Sequence, residues 1–384
     1  MDKLEGWVYM SFSEVYFVDA RARNSKESLL NKIALLFDRL DIASVVKGRR
    51  VAIKTHVGAP LCVRYLRPVY VRRIVDLVRD AGGEPFVTDT TTLDIYRRRG
   101  TAKGHLEVAA SHGFTEETLN APFIIADGPY GNDYVTVEID GLRLRKVHVA
   151  KELAESDVII SLAHFKGHAL SGIGGACKNL GIGGCSKLSK NAAHFESLPK
   201  VNKEKCDGCQ VCVDSCPADA ISIVDGKALI DESKCFACRA CIRSCPKKAI
   251  GNSRVSKEEF NLRLADLVYG LLKHLGKNNL FCFNFILEVD WLCDCEHNQQ
   301  GWSDIPIVPD IGVTASKDPV AVDQASIDLV NNAPGIPGSK AEEAGVLEPG
   351  KDKFQAIHGI SPSLSLEALE KLGVGSRKYK LIKL

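Results

Sequence analysis

Two cysteine runs constrain what this chain can fold into more than any other feature. Residues 205–221 read KCDGCQVCVDSCPADAI and residues 234–250 read KCFACRACIRSCPKKAI, so the spacing C-x-x-C-x-x-C-x-x-x-C-P occurs twice at a constant offset. A short loop with three such cysteines can wrap one [4Fe–4S] cube, while the fourth cysteine points away toward a second cube. The sequence therefore predicts that this segment folds around two clusters.

The repeat also assigns the ligands. The spacing predicts one cluster held by Cys206, Cys209, Cys212 and Cys245, and a second held by Cys235, Cys238, Cys241 and Cys216. A pair of zinc knuckles is the competing interpretation. Over roughly 50 residues the segment resembles the dicluster ferredoxins of the bacterial type, which implies transfer of single electrons at low potential.

The residues on either side of this segment alternate between predicted strands and helices. Buried strands are expected at residues 14–20 and 156–163, and a helix is expected to begin at Pro68. Asp318 before Pro319 is typical of a helix N-cap. We expect an α/β fold with a largely parallel sheet flanked by helices and an inserted 2[4Fe–4S] ferredoxin-like module. The expected division is a first part of the α/β domain at 1–200, the module at 201–252 and a second part at 253–384.

A glycine-rich stretch, HFKGHALSGIGGACKNLGIGGCSK at residues 164–187, follows the predicted strand at 156–163. Ligands of open α/β folds bind at the carboxyl ends of strands. A Walker loop does not fit, because Lys178 is followed by Asn179, and Cys177 occupies the last glycine position of a Rossmann fingerprint. The stretch indicates either a pocket or a structural loop with solvated lysines. In the pocket, the candidate catalytic residues are His164, Lys166, His168, Lys178 and His194, and the candidate cofactor-binding residues are Gly174, Gly175 and Asn179.

Six of the 14 cysteines lie outside the two runs. Two of them, Cys293 and Cys295, flank Asp294 in WLCDCEH, close to His297, at the end of another predicted strand. Two thiols need a further ligand from elsewhere, and Cys185 on the glycine-rich stretch is the candidate. A third metal centre built from Cys185, Cys293 and Cys295 is therefore predicted, with buried free cysteines as the alternative.

Four other features of the sequence are expected to have simpler roles. His56 and the threonine run at 88–92 follow strands and are expected to cap or turn the chain, with completion of the pocket as the alternative. His105 falls on a polar helix and is expected to be solvated. Asp323 faces either the pocket or the solvent.

These motifs together resemble a known family. The glycine-rich stretch, His194, the CP-rich insert and SKDPVAVDQAS are similar to the iron–sulfur proteins of the domain of unknown function (DUF) 362 family. This resemblance implies an α/β domain with two [4Fe–4S] clusters, and it implies no substrate. A more distant likeness to the lactate racemase family, which uses a nickel-pincer nucleotide, implies acid/base work for His168, cofactor attachment for Lys178 and nickel ligation for His194. The chain departs from that family at Cys177 and in its ferredoxin-like segment.

The expected function is an iron–sulfur oxidoreductase. Two clusters would pass low-potential electrons to a His/Lys-lined pocket that takes a small anionic substrate or an extra metal centre. A non-catalytic electron-transfer or metallocofactor-maturation protein is the alternative, and a nickel-pincer-type racemase-like enzyme is a third candidate. A net charge of +2 excludes a broad field for nucleic acid or membranes. The N-terminus has no signal-peptide core, so we expect a cytoplasmic protein of anaerobic metabolism with a redox partner protein, and disulfides are a poor explanation of its cysteines.

Overall fold

A computed structural model describes residues 12–295 and 303–384, so His297 lies outside the described residues. The strands are β1 (Ser13–Asp19), β2 (Arg50–Thr55), β3 (Glu84–Asp89), β4 (Phe123–Ile125), β5 (Tyr134–Glu138), β6 (Lys146–Ala150), β7 (Val158–His164), β8 (Lys166–His168), β9 (Gly172–Gly174), β10 (Lys200–Val201), β11 (Ile221–Val224), β12 (Lys227–Ile230), β13 (Ile250–Gly251), β14 (Leu280–Ile286), β15 (Gly312–Ser316) and β16 (Tyr379–Lys383). The helices are α1 (Leu29–Arg39), α2 (Ile42–Val46), α3 (Pro68–Asp80), α4 (Ala102–Ser111), α5 (Glu116–Leu119), α6 (Lys151–Ala154), α7 (Ala176–Gly181), α8 (Lys187–His194), α9 (Val211–Asp214), α10 (Ala240–Ser244), α11 (Lys257–Leu275), α12 (Pro319–Asn332), α13 (Lys340–Glu343), α14 (Lys353–His358) and α15 (Leu364–Lys371). Short 3-10 turns span Ser25–Glu27 and Lys277–Asn279.

A sheet of eight strands forms the centre of the fold, in the order β16-β1-β15-β14-β7-β2-β3-β4. The five strands from β14 to β4 are parallel to one another, and β16 is parallel to β1. Strand β15 runs antiparallel to both β1 and β14. The predicted α/β fold with a largely parallel sheet flanked by helices is confirmed.

Helices cover both faces of this sheet. Side chains of β14 alternate between the faces: Phe281, Phe283 and Phe285 pack in the core formed with α1 and α3, while Leu280 and Cys282 pack in the core formed with α11 and α12. A strand buried on both faces is largely apolar, which is why the sequence shows β14 as an apolar run broken only by Asn284.

The predicted helix starts are confirmed at two positions. Pro68 is the first residue of α3, and its fixed φ suits that place. The Asp318 carboxylate accepts the N–H groups of Val320 and Ala321 at the start of α12.

Residues 200–252, called the cysteine-rich segment here, add no strand to the eight-stranded sheet. The ribbon β10–β13 joins the beginning of the segment to its end, and β11–β12 forms a hairpin inside it. Its core contains Ile221 and Ile250 packed against cysteine side chains. The domain boundaries at 201 and 252 stay a prediction.

The helices within residues 12–295 and 303–384 are too short or too polar to cross a bilayer.

Candidate functional site

A cavity of about 340 Å³ opens at the carboxyl ends of neighbouring parallel strands. Lys54 and His56 come from the end of β2, Asp89 is the last residue of β3, and the β8–β9 hairpin follows β7 directly. The loop around Cys293 also contributes to the wall, and so does Arg239 beside α10 of the cysteine-rich segment. This is the edge at which open α/β sheets bind ligands.

The cavity is strongly cationic. Of the described residues that line it, nine are Lys or Arg and two are Asp. The cations are Lys54, Arg97, Arg99, Lys166, Lys178, Lys190, Arg239, Arg243 and Arg254. Both carboxylates are already paired, because Asp89 Oδ1 lies 2.9 Å from Lys54 Nζ and Asp94 Oδ2 lies 2.6 Å from Arg243 Nε. The surplus of positive charge suits an anionic ligand.

Asp89 organises the wall formed by β2 and β3. Its carboxylate lies 2.9 Å from Lys54 Nζ, 3.2 Å from His56 Nδ1 and 3.3 Å from His105 Nε2. Burial opposes ionisation of Asp89, but Lys54 and the two histidines hold its pKa well below the usual value. The carboxylate fixes a proton on His56 Nδ1, and His56 Nε2 is buried with no hydrogen-bond partner among the described residues.

Three sequence expectations are therefore wrong. His56 does not only cap the chain, because it lines the cavity and faces Asp89. His105 is not solvated: it lies on α4, it is fully buried and it faces Asp89. The threonine run does more than turn the chain, because Thr90 Oγ1 and the Thr91 carbonyl accept hydrogen bonds from Lys190 Nζ at 2.8 and 2.6 Å. Sequence reasoning missed Asp89 and Lys190 as wall residues, although the polar residues directly after β2 and β3 were a usable signal.

The glycines of the stretch at 164–187 let its backbone approach other groups very closely. A Cβ atom on Gly175 would lie 2.3 Å from Asp323 Oδ1. The Asp323 carboxylate needs that space, since it accepts the N–H groups of Ala176 and Cys177 at 2.7 and 2.9 Å. Asp323 thus lies in the interior behind the stretch, neither in solvent nor among the residues lining the cavity.

His168 and His194 line the cavity with opposite proton positions. His168 Nδ1 accepts hydrogen bonds from the N–H groups of Leu170 and Ser171 at 3.2 and 3.1 Å, so the neutral ring carries its proton on Nε2. His194 Nδ1 lies 2.7 Å from the Lys190 carbonyl and must donate to it, so its Nε2 keeps a lone pair. Burial lowers the pKa of His168 well below the usual value and that of His194 to about 4. One neutral ring is therefore a donor and the other an acceptor.

Cys293 and Cys295 meet His168 and Lys178 in the cavity wall. The two sulfurs and one ring nitrogen of His168 lie within 4.8 Å of one another. Lys178 Nζ lies 3.4 Å from Cys293 Sγ. The hydrogen bond from Cys295 lowers the pKa of Cys293 well below the usual value, and the Lys178 and Lys166 charges act in the same direction against burial.

Asp294 lies between these cysteines and faces the other way. Its buried carboxylate lies 2.9 Å from His164 Nδ1 and 3.0 Å from Lys166 Nζ. Burial opposes ionisation of Asp294, but Lys166 and His164 hold the pKa of its carboxyl below the usual value. His164 Nε2 lies 2.9 Å from the Leu287 carbonyl, so both ring nitrogens face oxygen acceptors. Among the candidate catalytic residues, His164 alone is not among the residues lining the cavity, and it anchors the Cys293 loop.

Two other candidates occupy positions that differ from their expected roles. Cys185 is not brought to Cys293 and Cys295: its backbone bridges to Val149 and its thiol packs in the core, where burial raises its pKa to about 12. Asn179 lines the cavity but is already engaged, since its Oδ1 accepts from Lys54 Nζ at 2.8 Å. The structure thus gives Asn179 a role in holding Lys54.

The eight cysteines of the two runs form two separate groups. One small cavity is lined by Cys206, Cys209, Cys212 and Cys245, and another is lined by Cys216, Cys235, Cys238 and Cys241. The second group adjoins the large cavity, because Ile95 N–H donates to the Cys238 carbonyl at 3.0 Å and Arg243 pairs with Asp94.

Comparison with known proteins places the chain in a family. Residues 51–328 match the model described as domain of unknown function (DUF362). The chain belongs to the DUF362 family. A thylakoid-associated protein of Synechocystis sp. is 30% identical over 161 residues, which cover 40% of this chain and 45% of that protein. The match therefore spans less than half the length of that relative.

The chain is also similar to solved structures, and one of them aligns with most of its length. The lactate racemase apoprotein from Thermoanaerobacterium thermosaccharolyticum aligns with a TM-score of 0.42 at 13% identity, over 97% of this chain and 82% of that chain. A likeness this low supports no statement about the function of the DUF362 chain.

Proposed function

We propose that this DUF362 protein is an iron–sulfur oxidoreductase that acts on an anionic substrate in the cationic cavity. One observation carries the proposal: the wall of the cavity is shared between the α/β part and the cysteine-rich segment. Arg239 and Arg243 both line the cavity. In the sequence, Arg239 lies between the second-run cysteines Cys238 and Cys241, and Arg243 follows Cys241 by two residues.

The two four-cysteine groups fit two [4Fe–4S] clusters. Each group contains three cysteines of one run and the fourth of the other, as the ligand spacing requires. Backbone N–H groups donate to the sulfurs of Cys206, Cys216 and Cys245 at 3.3 to 3.4 Å, as is typical of thiolates that carry negative charge. Clusters held by these eight thiols would supply single electrons at low potential.

An internal symmetry favours clusters over zinc knuckles. Gln210 and Arg239 occupy equivalent places in the two runs, and both have a φ of 66°. Ser215 and Ser244 are also equivalent, and their hydroxyls lie 2.7 Å apart where the two halves meet. Each half of the segment supplies its fourth cysteine to the group of the other half, and this exchange matches the dicluster arrangement.

The side chains of the cavity have distinct tasks in this proposal. Lys178 and Arg254 attract and hold anionic oxygens of the substrate. The Nε2–H of His168 donates a hydrogen bond, and the Nε2 lone pair of His194 accepts one.

The test is a metal and redox analysis of protein purified without oxygen. We expect about eight irons and eight labile sulfides per chain, and Cys238→Ser should remove roughly half of them. Cys185→Ala is the matched control, because its thiol lies in the hydrophobic core, and it should leave the iron content unchanged. Zinc in place of iron, or iron that is insensitive to Cys238→Ser, would contradict the proposal. Reoxidation of the reduced protein by anionic acceptors should slow in Lys178→Met.

A further inference from the structure

Cys293 and Cys295 lie close together in the cavity wall, and the proposed clusters do not require two further thiols at this place. Both thiols line the cavity, Cys293 is 2% exposed, and Cys295 is partly exposed. They lie within 4.8 Å of each other. We infer that Cys293 and Cys295 form a redox-active dithiol whose oxidised form is a disulfide between them. This inference rests on the proposed function for its source of electrons.

The surroundings of Cys293 favour a thiolate. Lys178 Nζ lies 3.4 Å from its sulfur, and Lys166 is held close by through Asp294 at 3.0 Å. Reactive cysteines occupy electropositive places that a partner can reach, whereas inert structural cysteines are buried among apolar groups. Cys293 is nearly buried, but it lines the cavity and has Lys178 beside its sulfur. Cys185 and Cys282 illustrate the second type, because both lie fully in the hydrophobic core.

A metal ion held by His168, Cys293 and Cys295 is the other use of this group, and three arguments oppose it. His168 Nδ1 accepts two backbone N–H groups, so the neutral ring keeps its proton on Nε2 and offers no lone pair there. Two thiols alone leave a zinc or iron site short of the three protein ligands that even open sites use. The Lys178 ammonium beside Cys293 also repels a divalent cation.

The two thiols can reduce a disulfide substrate in steps that conserve atoms and electrons. The Cys293 thiolate attacks one sulfur of an anionic disulfide, the substrate S–S bond breaks, and one substrate thiolate leaves. Cys295 then attacks Cys293, the second substrate thiolate leaves with the Cys295 proton, and the protein disulfide remains. Two single electrons from the low-potential donor and one proton return the pair to a thiolate and a thiol.

The experiment is a redox titration of the full chain, purified without oxygen and probed with glutathione disulfide and dithiothreitol. Samples are quenched in acid, alkylated under denaturing conditions and digested with trypsin, which releases residues 278–317 with Cys282, Cys293 and Cys295. We expect three alkyl groups on this peptide after reduction and one after oxidation. The single group is on Cys282, which serves as an internal control. Lys178→Met should slow the attack on glutathione disulfide at least tenfold, and Lys234→Met in the cysteine-rich segment should not.

Two results would overturn the inference. The first is three alkyl groups at every ratio of glutathione disulfide to dithiothreitol. The second is a stoichiometric metal, beyond the iron of the eight cysteines, that is lost in Cys293→Ser and Cys295→Ser. Iron and sulfide are measured on the same samples, so loss of the proposed clusters is seen separately from loss of the dithiol.

Discussion

Replacing Asp89 by asparagine should destabilise this protein by about 3–5 kcal/mol, the usual cost of breaking a buried ion pair from one side. Asp89 is 2% exposed, and Lys54 and Arg99, 1% and 3% exposed, are its cationic neighbours. The Asp89–Lys54 distance is 2.9 Å and the Asp89–Arg99 distance is 3.9 Å. An amide in place of the carboxylate keeps the shape but leaves both cations buried without a counter-charge.

The measurement is urea unfolding of the anaerobically purified protein, with iron content checked in parallel. Asp19→Asn is the matched control, because Asp19 pairs with Lys32 at the surface, where an ion pair contributes at most about 1 kcal/mol. Removing Lys54 as well, in Asp89→Asn/Lys54→Met, should recover part of the loss, because the double variant no longer buries the Lys54 ammonium without its carboxylate partner. If Asp89→Asn stays within 1 kcal/mol of the parent, Asp89 is not the charge that organises the wall, and the reasoning fails.

Two further predictions follow from the glycine-rich stretch and from His194. Gly175→Ala should lower the free energy of unfolding by about 2–4 kcal/mol in the same assay, because the added Cβ would displace the Asp323 carboxylate and leave buried N–H groups unpaired. Gly251→Ala is the control: Gly251 has open space around it, and this variant should change the free energy of unfolding by less than ~0.5 kcal/mol. His194 has a pKa of about 4 when folded and 6.5 when unfolded, so between these values only the unfolded state binds the proton and stability falls as the pH falls. His194→Gln should reduce the loss of stability between pH 7 and 5.5 by about 1 kcal/mol, and an unchanged pH profile would show that His194 is not buried as a neutral ring.

Strands β7 and β14 were predictable because burial on both faces makes them largely apolar. All seven residues of each are buried, and both appear in the sequence as mostly apolar runs, with Ser161, His164 and Asn284 as the polar exceptions. The direction of β15 was not predictable from such a run. The described residues between β14 and β15 contain no helix to carry the chain across the sheet, and strands joined without such a crossover run antiparallel.

The site was predictable where its residues share one local stretch and not where they meet across the fold. His168, Lys178 and His194 come from a stretch whose composition is itself unusual, and all three line the cavity. Asp89 and His105 belong to different elements, and only the packing of α4 against the sheet edge brings them together. Cys185 shows the opposite case, in which nearness in sequence was misleading. Its place on the glycine-rich stretch suggested a metal ligand, but the turn before α8 places its side chain in the hydrophobic core.

The charge of the cavity opposes one alternative that the sequence left open, a role in metallocofactor maturation. Two unit charges about 4 Å apart interact by ~4 kcal/mol at the effective dielectric of a protein surface. Each lysine that faces the cavity therefore stabilises a bound anion and destabilises a bound cation. A metallocofactor-maturation protein must hold and release a metal cation, and nine Lys and Arg side chains against two paired carboxylates oppose that task here. The same charges stabilise an anionic substrate and the thiolate of Cys293. The cysteine-rich segment is where a metal fits this protein, and the cationic cavity beside it is where electrons would meet an anion.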